Sequence, residues 1–177
     1  MRNTEKLYKR DILNQIINFF WTALCFTPVF WFWFQKGIDN INFYVFLGVA
    51  LLFGALPEKI LNKFTLSANK KVYEKYGIKF IRKFVQNGDI VNSHSKALGG
   101  TSIKDKAQAR KYLKTIAMYE RYHWICLIFF LLTSIYGFFN GHFLFGFSIS
   151  IANLLYNLIP IFLQQYNKIR IMKVVNR

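Results

Sequence analysis

Four stretches of this chain contain no Asp, Glu, Lys or Arg: residues 16–34, 41–56, 124–139 and 143–163. Apolar runs of that length restrict the fold more than any other feature, because a helix needs about 20 such residues to cross a bilayer. The first and fourth reach that length; the second and third fall short, and either borrow flanking residues or tilt little. A buried soluble core is the other reading of the two short runs. It fails on the first run, whose Phe19, Phe20, Trp21, Phe30, Trp31, Phe32, Trp33 and Phe34 exceed what the rest of a 177-residue chain could cover, with 54% of all residues hydrophobic. The expectation is an all-α integral membrane four-helix bundle, a single membrane domain over residues 1–177, with a middle region at 57–123 that stays outside the bilayer.

The net charge of +16 first suggests nucleic acid, but its placement excludes that partner. Of the 24 Lys and Arg, four precede the first run, fifteen lie from Lys59 to Arg121, four follow Leu163, and Lys36 alone lies between the first two runs. One-sided charge of this kind orients a membrane protein with both termini and the middle region in the cytoplasm. A nucleic-acid binder has no need of four charge-free runs. Cys25 and Cys126 fall inside apolar runs without a Cys-x-x-Cys spacing and read as buried thiols. The first run lacks a small-x-small cleavage signal before Gln35-Lys36-Gly37 and reads as an uncleaved anchor following a basic lead-in.

From Lys70 to Gln86, Val72, Tyr73, Tyr76, Phe80 and Phe84 recur at helical spacing while Lys71, Glu74, Lys75, Lys79, Arg82 and Lys83 fill the remaining arc, which predicts one basic amphipathic helix. Its apolar face either lies among lipid headgroups or packs on the end of the bundle; both fit the pattern. His94 has no ligand-spaced partner and reads as a loop residue. Ser102 and Asp105 resemble a capping box that opens a helix running unbroken into the third span. On that helix Leu113, Ile116, Ala117, Glu120 and His123 share one side.

Glu120 and His123, three residues apart at the edge of a span, are the first candidates for chemistry, since such groups are costly there unless paired or functional. Asn153, Asn157 and Gln164 form a second polar face on the fourth run, and polar groups at that depth face a helix or a cavity. Glu58, after Pro57 at the end of the second run, is the third cluster. The predicted topology brings all three to one membrane face. Glu-x-x-His is also half of a di-iron site, but no second such motif or intramembrane glutamates complete it, so no metal is expected.

At these residues the sequence resembles the glycosyl-4,4'-diaponeurosporenoate acyltransferase family of bacterial carotenoid pathways. The matching pieces are Glu120-x-x-His123-Trp124 and Asn157-x-x-Pro160-x-x-x-Gln164-x-Tyr166-Asn167-x-x-Arg170, with weaker likeness from Pro57 to Asn92. The family tends to carry Arg where this chain has Gln165 and Lys168, and lysine lacks the planar fork of arginine. The resemblance implies a multi-pass protein of the bacterial cytoplasmic membrane that esterifies a sugar hydroxyl of a glycosylated lipid or carotenoid acid. The acyl donor, acyl-CoA or similar, is a substrate; no cofactor is implied. In that frame His123 is the general base, Glu120 orients it, and Asn157, Gln164 or Tyr166 donates to the oxyanion. Lys168 and Arg170 hold donor phosphates; Asn153, Asn157, Gln164, Tyr166, Asn167, Lys168, Arg170 and Glu58 together line the substrate. Two alternatives stand beside this: Glu120 and His123 as a structural interfacial pair, and the whole chain as a non-enzymatic accessory or scaffold binding anionic lipid or a biosynthetic enzyme.

Overall fold

The computed structural model of the chain describes residues 2–85, 88 and 105–176. His94, Gly99-Gly100 and Ser102 lie outside them. Eight α-helices are labelled here in chain order. Helix α1 is Arg2–Lys36, α2 Ile41–Gly54, α3 Glu58–Leu61, α4 Lys70–Lys75, α5 Ile78–Ile81, α6 Lys106–Phe139, α7 Phe143–Asn153 and α8 Ile159–Val175. A 3-10 turn (Asn62–Phe64) follows α3, and a π-helical turn (Leu154–Leu158) joins α7 to α8 without a break. No strand occurs among the described residues.

Among the described residues three helices are long and apolar enough to cross a membrane: Tyr8–Lys36 within α1, α6, and the rod Phe143–Val175 that contains α7, the π turn and α8. The second expected span is the difference. Helix α2 covers only Ile41–Gly54 and the chain then bends by 94° into Glu58–Phe64, so a fourth span exists only if the bent pair is counted as one. Fourteen residues reach about 21 Å, short of a hydrocarbon core about 30 Å thick. Pro57 follows the helix end, and the residue before a proline is biased out of the helical region.

Helix α6 is the hub: α2, α7 and α8 all pack on it, while α1 packs on α7 and the π turn. The expected continuity of its basic half with the third run holds; Asp105 is its N-cap and accepts from the Gln108 amide at 2.7 Å. Leu113 and Ala117 are half-buried and Ile116 and Glu120 buried, so the predicted stripe faces protein.

At the end carrying the short turns 37–40 and 140–142 the packing is aromatic. Trp33 stacks on Tyr136 at 5.7 Å, meets Phe43 and Phe46 edge-on, and donates to Thr133 Oγ1 at 3.2 Å. Helices α6 and α7 touch there at Gly137 and Gly146; a Cβ on Gly137 would make an ordinary van der Waals contact, 3.5 Å from the Gly146 nitrogen.

The single amphipathic helix expected at 70–86 is instead two short helices, α4 and α5. Gly77, at φ 75°, supplies the left-handed residue that breaks them apart. The break rotates Tyr73 and Ile78 onto the bundle, where they bury against Leu163 and Tyr166, and leaves Tyr76, Phe80 and Phe84 exposed. Both expected uses of the apolar face are therefore divided between residues: packing falls to Tyr73 and Ile78, and the other aromatics stay outside.

Candidate functional site

The opposite end of the bundle is polar and interlocked. Glu120, buried on α6, accepts from Gln165 Nε2 at 3.0 Å. Gln165 Oε1 in turn accepts from the Tyr73 hydroxyl and from the Leu66 amide, both at 3.1 Å. Tyr73 is held further by Ser67, donating to its carbonyl at 2.9 Å and accepting from its amide at 3.1 Å. One carboxylate thus joins α6, α8 and the 64–73 segment. No hydrogen bond joins Glu120 to His123 among the described residues, so the expected acid–imidazole pair is replaced by an acid–amide pair.

Around this network lie ionic contacts. Lys168 Nζ donates to Glu58 Oε1 at 2.8 Å and to Asn62 Oδ1 at 2.9 Å. That ammonium holds the Glu58 carboxyl below the usual carboxylate range. Arg121 Nη1 donates to the carbonyls of Gly54 and Leu56 (3.1 Å for the latter), satisfying groups that the end of α2 leaves open. Tyr166 donates to Glu74 at 3.3 Å, and Glu74 is held low chiefly by its contact with Lys79. Arg170 lies over the Tyr166 ring at 5.5 Å and is itself exposed. Asn167 is half-buried and carries no hydrogen bond to a described residue.

His123 sits in a different arrangement, one turn deeper along α6. Its ring lies between those of Tyr122 (5.3 Å) and Tyr156 (5.7 Å), and within electrostatic reach of the Asn157 amide and the Tyr156 backbone carbonyl. Tyr156 and Asn157 belong to the π turn, and the cause of that turn is local. Pro160 has no N–H to offer the carbonyl four residues before it, which is that of Tyr156, and its ring crowds the same carbonyl. The widened turn relieves the crowding and aims the carbonyl at His123; single π turns of this kind gather at functional sites. Tyr156 is braced from α1, its hydroxyl 2.9 Å from Thr22 Oγ1 and its ring edge-on to Phe26.

Three buried side-chain atoms at this end have no hydrogen-bond partner among the described residues: His123 Nδ1, Asn157 Oδ1 and Trp124 Nε1. Trp124 faces Phe53 and Phe64 beside Glu120, away from the other two. His123 Nδ1 and Asn157 Oδ1 are neighbours. Asn157 is fully buried; its Nδ2 donates to Asn153 Oδ1 at 2.8 Å, and Asn153 donates to the Leu127 carbonyl at 3.0 Å. Leaving a buried polar atom unpaired costs about 1–3 kcal/mol. Measured along the helices, His123 is about 24 Å from Phe139 and Asn157 about 21 Å from Phe143, which sets the pair near one edge of a hydrocarbon core about 30 Å thick.

Several expected roles change. The polar face was expected to continue from Asn153 and Asn157 to Gln164, but the π turn inserts one residue and advances the register, so Gln165 is buried and Gln164 half-exposed. The three expected oxyanion donors are not gathered at His123: one N–H of Asn157 Nδ2 goes to Asn153, Tyr166 donates to Glu74, and Gln164 is half-exposed beside the buried Gln165. Lys168 is engaged by Glu58 and Asn62, which take two of its three N–H donors. The contributions of Tyr73, Arg121, Tyr156 and Gln165 escaped sequence reasoning; Pro160 was the available signal for Tyr156, because the freed carbonyl follows from its position. Among the described residues no cluster of three or more His, Cys, Asp or Glu has a metal-ligand arrangement.

A family model described as glycosyl-4,4'-diaponeurosporenoate acyltransferase matches residues 57–177. That segment holds every site residue above except Thr22, Phe26, Phe53 and the Gly54 and Leu56 carbonyls. No curated protein and no solved structure matches the chain.

Proposed function

We propose that this chain, which belongs to the glycosyl-4,4'-diaponeurosporenoate acyltransferase family, transfers a fatty acyl group to a sugar hydroxyl of a membrane-borne glycoside, at the bilayer edge where His123 and Asn157 meet. The one-sided basic residues support a cytoplasmic orientation for that edge. The observation that carries the reading is the adjacent pair of buried polar atoms, His123 Nδ1 and Asn157 Oδ1, neither with a hydrogen-bond partner among the described residues. Two acceptors side by side complement a group that brings two O–H donors, such as neighbouring hydroxyls of a sugar ring.

One hydroxyl donates to His123 Nδ1 and its neighbour to Asn157 Oδ1. In the tautomer protonated on Nε2, Nδ1 keeps the lone pair that takes the hydroxyl proton. The hydroxyl oxygen attacks the carbonyl carbon of an acyl thioester while His123 takes its proton. The new C–O bond forms, the C–S bond breaks, and the imidazolium returns the proton to the departing thiolate. Glu120, committed to Gln165, acts as a positioning residue that ties α6 to α8 and so fixes how His123 meets the π turn.

Lipid and pigment mass spectrometry of cells with and without the protein tests the activity. The expected result is a species heavier by one acyl chain only where the protein is present. Identical lipid and pigment profiles would refute acyl transfer.

A further inference from the structure

The Gly77 break leaves Tyr76, Phe80 and Phe84 exposed on one short stretch. Phe80 and Phe84 meet ring to ring at 5.1 Å, and Lys83 Nζ lies over the Phe80 ring at 5.9 Å. Large apolar side chains gathered in the open and rimmed by charge mark an interaction surface.

The place of this stretch in the fold says what covers it. Its end is tied to α1, where Trp21 Nε1 donates to the Phe84 carbonyl at 3.2 Å. Trp21 meets Phe20 edge-on at 5.5 Å, and Phe19 and Phe20 are exposed on a helix long and apolar enough to span. The aromatic patch therefore adjoins the lipid-facing side of α1. Measured along that helix, Trp21 is about 20 Å from Phe34, which leaves about 10 Å to the inner edge of a hydrocarbon core about 30 Å thick. Amphipathic segments lying in the interface bury their apolar face to about 5–10 Å. The Trp21 contact sets the stretch at that depth.

Charge selects the lipid. Residues 70–84 carry six Lys and Arg and one acid, Glu74. Glu74 is already engaged by Lys79 Nζ at 3.0 Å and by the Tyr166 hydroxyl at 3.3 Å. One carboxylate cannot neutralise six cations, so the stretch presents positive charge, with Lys75, Lys79 and Lys83 exposed. An acidic soluble protein would match the charge but not a patch that runs into the lipid-facing side of a span. Anionic headgroups above acyl chains match both.

We propose that residues 76–84 are an interfacial docking element for anionic lipid. Phe80 and Phe84 enter the acyl boundary beside Phe20, and Lys75, Lys79 and Lys83 take the headgroups. The inner side of the same stretch carries Tyr73, which donates to Gln165, so docking steadies the cover of the Glu120 network. Docking needs no acyl transfer and is tested without turnover.

The test uses full-length protein in nanodiscs of equal parts phosphatidylcholine and phosphatidylglycerol, with the photoreactive p-benzoylphenylalanine in place of Phe80. The control carries it in place of Lys106, exposed at the start of α6 about 25 Å beyond His123. On irradiation the probe at position 80 crosslinks lipid, with phosphatidylglycerol recovered at least about threefold over phosphatidylcholine; position 106 gives no lipid adduct. Lys75→Gln, Lys79→Gln and Lys83→Gln together bring the two lipids to equal recovery while the adduct stays on lipid. No lipid adduct at position 80, or an adduct to a second copy of the chain or to another protein, overturns the proposal. Equal recovery of the two lipids in the parent, or unchanged enrichment in the triple variant, overturns the assignment of anionic headgroups to these lysines.

Discussion

The two ends of the bundle solve the same packing problem with different materials. At the turn end, Trp33, Phe43, Phe46 and Tyr136 fill the space between helices, and the buried Trp33 indole N–H finds Thr133. At the other end the space between α6 and α8 holds Glu120, Gln165, His123 and Asn157, and neighbouring atoms of the last two go unmatched. A sequence selected only to hold helices together would build both ends like the first, because unpaired buried polar atoms cost stability and return none. The second end carries that cost, which is the pattern of a site whose partners arrive with a substrate.

The contrast breaks most visibly at the aromatic end. Trp33→Ala removes a fully buried side chain and should cost about 3–5 kcal/mol of stability, read as a lowered thermal midpoint in detergent. Acyl transfer per folded molecule should persist, since Trp33 is far from His123. Loss of turnover without loss of stability in this variant would place function at the wrong end.

A smaller effect separates the network from the reacting pair. Gln165→Leu strips the Glu120 carboxylate of its hydrogen bond and should cost about 1–3 kcal/mol. Replacing both partners, Glu120→Met with Gln165→Leu, should recover the part of the loss that comes from the unpaired carboxylate, while the Leu66 amide stays without its acceptor. A double variant no more stable than the single would show that the network matters for more than its mutual pairing.

Smallest is the surface pair of Lys168 and Glu58. The Glu58 carboxyl is held low in the folded protein, so its contribution is present above its unfolded value and fades as pH falls through the lower folded one. The thermal midpoint of the parent should therefore fall on acidification below about pH 4.3, the unperturbed glutamate value. Glu58→Gln should lack that part of the decline. Superimposable acid limbs for the two proteins would remove any role for the pair.

Much of this was legible in the sequence because it obeys a fixed period. The stripe from Leu113 to His123 keeps intervals of three and four, and α6 runs uninterrupted as that spacing predicts. What was hidden depended on departures from the period. Pro160 and the π turn moved the inward amide from Gln164 to Gln165, and Gly77 divided the 70–86 segment so that Tyr73 turned inward while Tyr76 stayed out. Glu120 and His123 share a helix face as expected, yet the identity of their partners was set by α8 and the π turn, whose register the spacing on α6 could not report.

The most direct measurement is acyl transfer by the His123→Ala variant in nanodiscs, alongside its thermal midpoint. The account requires turnover per folded molecule to fall by about 10²–10⁴, the usual share of a general base, in a protein that stays folded at the assay temperature although loss of the packed ring lowers its midpoint. Turnover within a few fold of the parent, in a protein that folds as well, would contradict it.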